Sequence, residues 1–250
     1  MKIALITGGS RGLGKNMATH LADKGCDIIL TYRERKDEAE KVVSEIVAKG
    51  HKAVALQLDL EKPDMLDAFV TMVKSTLQEN WKASHFDYLI NNGGMGVYAP
   101  IADTTPAQFD SLMNVHLKSP FFLTQKLASL INDGGHIINI SSGLARFSYP
   151  NYAAYAMMKG GIEVFTRYLA QELGVRKIAV NTIAPGAIET DFGGGVVRDN
   201  PDLNKMIASQ TALGRAGVPD DIGSAVAGLL TQVPCWINGQ RIEVAGGTHL

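Results

Sequence analysis

The sequence predicts an α/β fold: a doubly wound parallel sheet with helices on both faces. Three observations carry this. Short apolar runs alternate almost throughout with longer segments of helical period, the pattern of strands joined by right-handed crossovers. Several of the short runs are unbroken stretches of Val, Ile and Leu, as strands covered on both faces should be. A glycine-rich turn joins the first strand to the first helix. No linker, repeat or break in composition divides the chain, so residues 1–250 are read as one domain.

Residues 2–6 read as the first strand and 12–24 as the first helix; a strand at 27–31 and a helix at 36–49 follow. In the second helix Val42, Val43, Ile46 and Val47 form one apolar stripe. Asp37 with Lys41, and Glu45 with Lys49, pair along its wet side. Residues 53–58 make a third strand. Pro63 opens a helix to about residue 80, at the position proline tolerates best. Residues 88–90 are a fourth strand, and 106–130 a long helix bent near Pro120. A strand at 136–140, a helix at 152–173, a strand at 178–183, a helix at 219–231 and a strand at 241–244 complete the order. The irregular stretch from about 184 to 202 holds Gly193, Gly194 and Gly195, and predicts a mobile substrate loop spanning about 184–215.

Bulk properties exclude several classes. The 250 residues carry 24 basic and 25 acidic side chains, a net charge of −1, without the basic excess that nucleic acid would demand. No apolar run approaches the roughly 20 residues of a membrane span, and the apolar opening at residues 1–6 is too short for a signal peptide. Cys26 and Cys235 lie far apart, and neither they nor the histidines have metal-ligand spacing, so no metal is expected. A cytoplasmic location is the expectation.

Chemistry concentrates around Tyr155 and Lys159. Four residues apart in a helical segment, they share a face. A cation beside a phenol favours the phenolate and lowers a pKa that is ordinarily about 10, which makes a proton donor and acceptor for neutral pH. Ser142, thirteen residues upstream, can hold a substrate oxygen beside them. Tyr32 and Lys36 repeat the spacing in a charged stretch with no such serine, and read as solvated surface.

The turn Thr7–Gly14 contains Gly8, Ser10, Arg11, Gly12, Leu13 and Gly14. Its glycines let the backbone approach a pyrophosphate, and the following helix offers free N–H groups. After the second strand stands Arg33, where a carboxylate would have favoured the unphosphorylated ribose of NADH. Arg33 and Arg11 can grip a 2′-phosphate, so NADPH/NADP is expected over NADH, with Glu34 as a dissenting neighbour. Asp59 and Leu60 after the third strand are placed for adenine, and Asn92 and Gly93 after the fourth for the ribose.

In this order the marks Thr7-Gly8-x-x-x-Gly12-x-Gly14, Asn91-Asn92-Gly93-Gly94, Asn114, Ser142, Tyr155-x-x-x-Lys159 and Pro185-Gly186 resemble the short-chain dehydrogenase/reductase family across the whole chain. The resemblance implies a Rossmann-like domain of about seven parallel strands, assembled as a homodimer or homotetramer. It also implies roles. Tyr155 is the general acid/base and Lys159 holds the cofactor ribose. Ser142, rather than Ser141, orients the carbonyl, and Asn114 anchors a water in a proton relay. Ile188 and Thr190 contact the nicotinamide. The reaction so implied is NADPH-dependent, reversible reduction of a carbonyl to an alcohol. The branch it most resembles acts on 3-oxoacyl thioesters of acyl-carrier protein. A broad-range ketone, sugar or steroid reductase is the alternative, and a non-catalytic NADP-binding sensor or scaffold the alternative of another class.

Some residues depart from the family or stay open. Gly93 stands where alanine is common, which should loosen the backbone, and Met157 and Met158 replace small residues. His116 reads as a packed or interface histidine. Arg146, Arg198, Lys205 and Arg215 are candidates for a basic docking patch. Phe147, Tyr149, Tyr152, Phe192 and Met206 are candidates for an apolar pocket wall.

Overall fold

The computed structural model describes residues 1–231 and 236–250. Cys235 lies outside the described residues. Seven parallel strands form one sheet in the order β3-β2-β1-β4-β5-β6-β7. They are β1 (Lys2–Ile6), β2 (Cys26–Tyr32), β3 (Ala53–Gln57), β4 (Phe86–Asn91), β5 (Ile131–Ile140), β6 (Ala179–Pro185) and β7 (Arg241–Val244). The helices between them are α1 (Gly12–Asp23), α2 (Lys36–Ala48), α3 (Leu66–Trp81), α4 (Pro106–Met113), α5 (Ser119–Leu127), α6 (Ala153–Leu173), α7 (Val196–Asp199), α8 (Pro201–Ser209) and α9 (Pro219–Thr231).

Strand alternation divides the core. Ala4, Ile6, Ile28 and Leu30 face one way and pack with Met17 and Leu21 of α1, Val42 and Ile46 of α2, and Ile222 and Val226 of α9. Ile3, Leu5 and Ile29 face the other way, onto Phe69 and Val73 of α3 and Leu123 and Leu127 of α5. Because both faces are covered, the strands carry almost no polar positions, which is why they read so plainly as strands. The order reverses direction between β1 and β4, and the crossovers from these strands diverge there. That leaves a crevice at their carboxyl ends.

Two elements differ from expectation. The long helix is interrupted, but at a π turn over Asn114–Lys118 rather than at Pro120. Ser119 N–H reaches back five residues to the Asn114 carbonyl. Pro120 has no N–H to return to the preceding turn, and the helix widens just upstream to absorb that loss. Below the turn Leu123, Thr124 and Leu127 are buried, while Phe121 and Phe122 point outward. The stretch read as irregular at 184–202 instead begins a helical lobe. Gly193, Gly194 and Gly195 all take positive φ, where glycine is at home. Asn200 then caps α8, accepting from Asp202 and Leu203 N–H at 3.1 Å, with Pro201 at its first turn.

Candidate active site

The carboxyl ends of β1, β4, β5 and β6 bring the motif residues together. Ser142 follows β5, and Tyr155 and Lys159 lie one turn apart near the start of α6. Asn114 opens the π turn that packs on α6. Tyr155 and Lys159 are almost entirely buried.

The serine choice is settled by geometry. Ser141 is occupied behind the helix, donating to Glu163 Oε1 at 2.6 Å and lying 3.1 Å from the Lys159 carbonyl. The Ser142 hydroxyl accepts from Leu144 N–H at 3.2 Å and reaches the Tyr155 phenol. Burial pushes the Tyr155 pKa well above its ordinary value, and the Ser142 bond pulls the other way. The depression expected from Lys159 is not what this arrangement gives. The ammonium lies 5.5 Å from the Tyr155 ring centroid and donates to the Ile140 carbonyl at 2.8 Å. Burial lowers the Lys159 pKa to about 7. The phenol therefore rests protonated, beside an amine that titrates near neutrality.

His116 is packed, as expected, but its place was not foreseen. Its ring meets the Tyr155 ring edge-on at 5.3 Å, and Nε2 lies 2.7 Å from the Met95 carbonyl. Burial first, then the nearby Lys159 charge, lowers its pKa to about 3, so it is a neutral wall. Tyr152 and Phe192 stand 6.5 Å and 6.1 Å from Tyr155, and Tyr98 stacks edge-on against Tyr152 at 5.3 Å. Phe147 and Tyr149, by contrast, pack on the tail. The Phe147 and His249 rings are 4.4 Å apart, and the Tyr149 hydroxyl bonds His249 and Gln210. Met206 is half exposed on α8.

Arg241 and Glu163 were also missed. Arg241 donates to Glu163 at 2.7 Å and to the Ser142 carbonyl at 3.2 Å, tying β7 to the catalytic loop. These partners lie 78 and 99 residues apart in sequence, so no local pattern could have signalled them.

The glycine turn fits a dinucleotide. A Cβ on Gly14 would fall 2.0 Å from the Gly8 carbonyl oxygen, so only glycine permits this tight packing. Helix α1 opens with no side-chain cap and no acidic residue in its first turn, leaving N–H groups and the positive dipole end for an anion. Ser10, Arg11 and Leu13 belong to the same turn and helix start. Across the crevice, Thr190 lies against Gly12. Pro185 and Gly186 end β6, and Ile188 bridges to Gly217.

Asn92 faces the turn itself, donating to the Thr7 and Gly8 carbonyls at 2.8 and 3.2 Å. The Thr7 hydroxyl in return accepts from Asn92 and Gly93 N–H, both at 2.9 Å. Gly93 is not a loosened alanine. A methyl there would meet Leu60 Cδ1 at 2.6 Å, so Leu60 fills the space. Arg33 is not a free cation, and contacts Glu61, Glu34 and Asp59. Tyr32 ends β2, and Lys36 begins α2 at the surface. Among the described residues no His, Cys, Asp and Glu group could hold a metal, and no helix is long and apolar enough to cross a membrane.

A Rossmann-like sheet with Ser, Tyr and Lys converging beside a dinucleotide turn defines a nicotinamide-dependent oxidoreductase. Comparison with known proteins gives the family. A family model described as enoyl-(acyl carrier protein) reductase matches residues 8–249. A hydroxynaphthalene reductase-like protein, Arp2, of Metarhizium brunneum is 36% identical, over 99% of this chain and 94% of its own length. Tetrahydroxynaphthalene reductase PfmaG of Pestalotiopsis fici is also 36% identical, over 98% and 91%. Among solved structures, the angucycline C-6 ketoreductase LanV with bound NADP superposes with a TM-score of 0.93 at 34% identity, over 99% of this chain and 95% of that one. A blue fluorescent protein from a metagenomic library, in complex with NADPH, gives 0.90 at 32% identity, over 100% and 98%. The chain belongs to the short-chain dehydrogenase/reductase family. It is an NADP-dependent enzyme of the carbonyl-reducing kind.

Proposed function

We propose that the chain reduces a ketone on a flat, aromatic or polycyclic small molecule. The observation that carries this is the setting of the Tyr155 phenol: bonded to the Ser142 hydroxyl and walled by the rings of His116, Tyr152 and Phe192. Aromatic walls favour a flat π-system over an acyl chain. The hydroxynaphthalene and angucycline reductases among its relatives point the same way. A 3-oxoacyl thioester is the second reading, but its carrier would need a basic dock. Arg146, Arg198 and Arg215 are each paired with carboxylates: Glu243 at 3.0 Å, Asp191 and Asp199 at 2.6 and 2.7 Å, and Asp221 at 2.7 Å. That leaves exposed Lys205 alone of the four candidates.

In this mechanism, bound NADPH supplies the hydride. Ser142 and Tyr155 hydroxyls hold the carbonyl oxygen, where negative charge develops. The raised Tyr155 pKa keeps its proton available for that oxygen. Lys159, titrating near neutrality, holds the ribose and passes a proton onward, with Asn114 at the end of the relay. Gly8, Ser10, Arg11, Gly12, Leu13 and Gly14 receive the pyrophosphate, Asp59, Leu60, Asn92 and Gly93 the adenosine side, and Pro185, Gly186, Ile188 and Thr190 the nicotinamide. Arg33 takes the 2′-phosphate. The lobe at about 184–215 moves over the substrate. NADPH consumption should be fastest with bicyclic and tricyclic aromatic ketones, with kcat/KM at least about tenfold above that for NADH. Faster turnover of 3-oxoacyl thioesters, or a preference for NADH, would overturn the corresponding part of this reading.

The reading includes a homodimer or homotetramer. Phe121, Phe122, Val164 and Tyr168 are exposed together on α5 and α6, with the Phe121 and Phe165 rings 4.9 Å apart. Such a patch suits a second copy of the chain. Light scattering should give a multiple of the 26.8 kDa chain, and Phe121→Glu should lower it; a monomeric wild type would exclude the assembly. A cytoplasmic location, where NADPH is supplied, belongs to the same reading.

A further inference from the structure

The cation expected to meet the cofactor's 2′-phosphate already has an anionic partner. Arg33 Nη2 lies 2.7 Å from Glu61 Oε2, while its Nε is 3.3 Å from Glu34 Oε1 and 3.6 Å from Asp59 Oδ1. The three carboxylates are unequal. Only Glu61 is at the length of a charge-assisted hydrogen bond. It is also the one held from behind: its Oε1 accepts the Ser111 hydroxyl at 2.6 Å. Ser111 lies on α4, a turn before Asn114. The Glu34 side chain is 77% exposed, against 28% for Glu61.

We propose that Glu61 is a built-in competitor of the 2′-phosphate and sets how strongly the enzyme prefers NADPH. It stands where it offers Arg33 what a phosphate oxygen would offer. When NADPH binds, the guanidinium is exchanged from carboxylate to phosphate, and the carboxylate is left as a like charge beside the newcomer. Only the difference between the two ion pairs appears as affinity. When NADH binds there is nothing to exchange, and Arg33 stays with Glu61. The carboxylate thus weakens NADPH binding and leaves NADH binding alone. The inference rests on the reading that Arg33 meets the 2′-phosphate.

The test measures Kd for NADPH and NADH by nicotinamide fluorescence, and cofactor-dependent shifts in melting temperature, on the full chain. Glu61→Gln keeps an oxygen for Ser111 and removes the charge. It should tighten NADPH about threefold, within the worth of a partly exposed ion pair, and leave NADH unchanged. The gain should vanish in an Arg33→Gln background. Glu34→Gln should do less. Unchanged or weaker NADPH binding in Glu61→Gln, or an equal gain from Glu34→Gln, overturns the proposal while Arg33→Gln alone still weakens NADPH. If Arg33→Gln leaves NADPH binding intact, the Arg33 assignment itself falls. A cofactor-free melt for each variant separates these outcomes from misfolding.

Discussion

Tyr155→Phe should lower kcat by about 10³-fold, the combined worth of a general acid and an oxyanion donor, while the Kd for NADPH stays within about twofold of wild type. Phenylalanine keeps the ring and loses only the hydroxyl. The edge contact with His116, the approach to Tyr152 and the face toward Phe192 all remain. The buried oxygen that disappears has Ser142 as its polar neighbour, and Ser142 retains its bond from the Leu144 N–H. Stability should therefore change little and the effect should fall on chemistry. Turnover close to wild type would remove Tyr155 from the reaction.

Lys159→Met should also lower kcat, by about 10²-fold or more, and should change the pH dependence of stability in a way a packing defect would not. Burial lowers the lysine from its ordinary 10.5 to about 7 in the folded chain. Between those values the unfolded chain binds one more proton than the folded one. Stability must then rise with pH across that range, by at most about 1.4 kcal/mol per pH unit. Cys26, raised by burial from 9.0 to about 11, and Tyr155, raised by burial as well, act in the opposite direction at higher pH. The window that isolates Lys159 is therefore pH 7 to 9. Chemical denaturation at several pH values should show wild-type stability climbing there and the methionine variant flat. A slope identical in both would mean that Lys159 is not held neutral by its surroundings.

Legibility in the sequence followed the range of the interactions. Strand and helix order was readable because the sheet is covered on both faces, so each strand is apolar throughout and each helix striped. Ser142, Tyr155 and Lys159 were readable because two lie one helical turn apart and the third on the adjoining strand end. The glycine turn was readable because Gly14 packs on a backbone oxygen eight residues from the chain start. What escaped depends on distant partners. His116 is defined by Tyr155 and Met95, Arg241 by Glu163 and the Ser142 carbonyl, and Arg33 by Glu61. The helical lobe after β6 was hidden by three glycines, although Asn200-Pro201 was a local cap signal that could have been read. The Tyr155–Lys159 spacing was read correctly, but its electrostatics were not. Burial outweighs the neighbouring charge for both groups, and spacing alone carries no information on burial.

The widened turn at Asn114–Lys118 amounts to one residue more than an unbroken spiral would hold. Each residue of an α-helix turns the chain by about 100°, so everything on α5 is rotated by that much relative to a continuous rod. Deleting a single residue there would heal the spiral and turn Leu123 and Leu127 off the sheet, with Phe121 or Phe122 swung toward it. The count of residues between Asn114 and α5 is thus as binding a constraint as their chemistry. Any relative that shares this site should show neither gap nor insertion across those five positions.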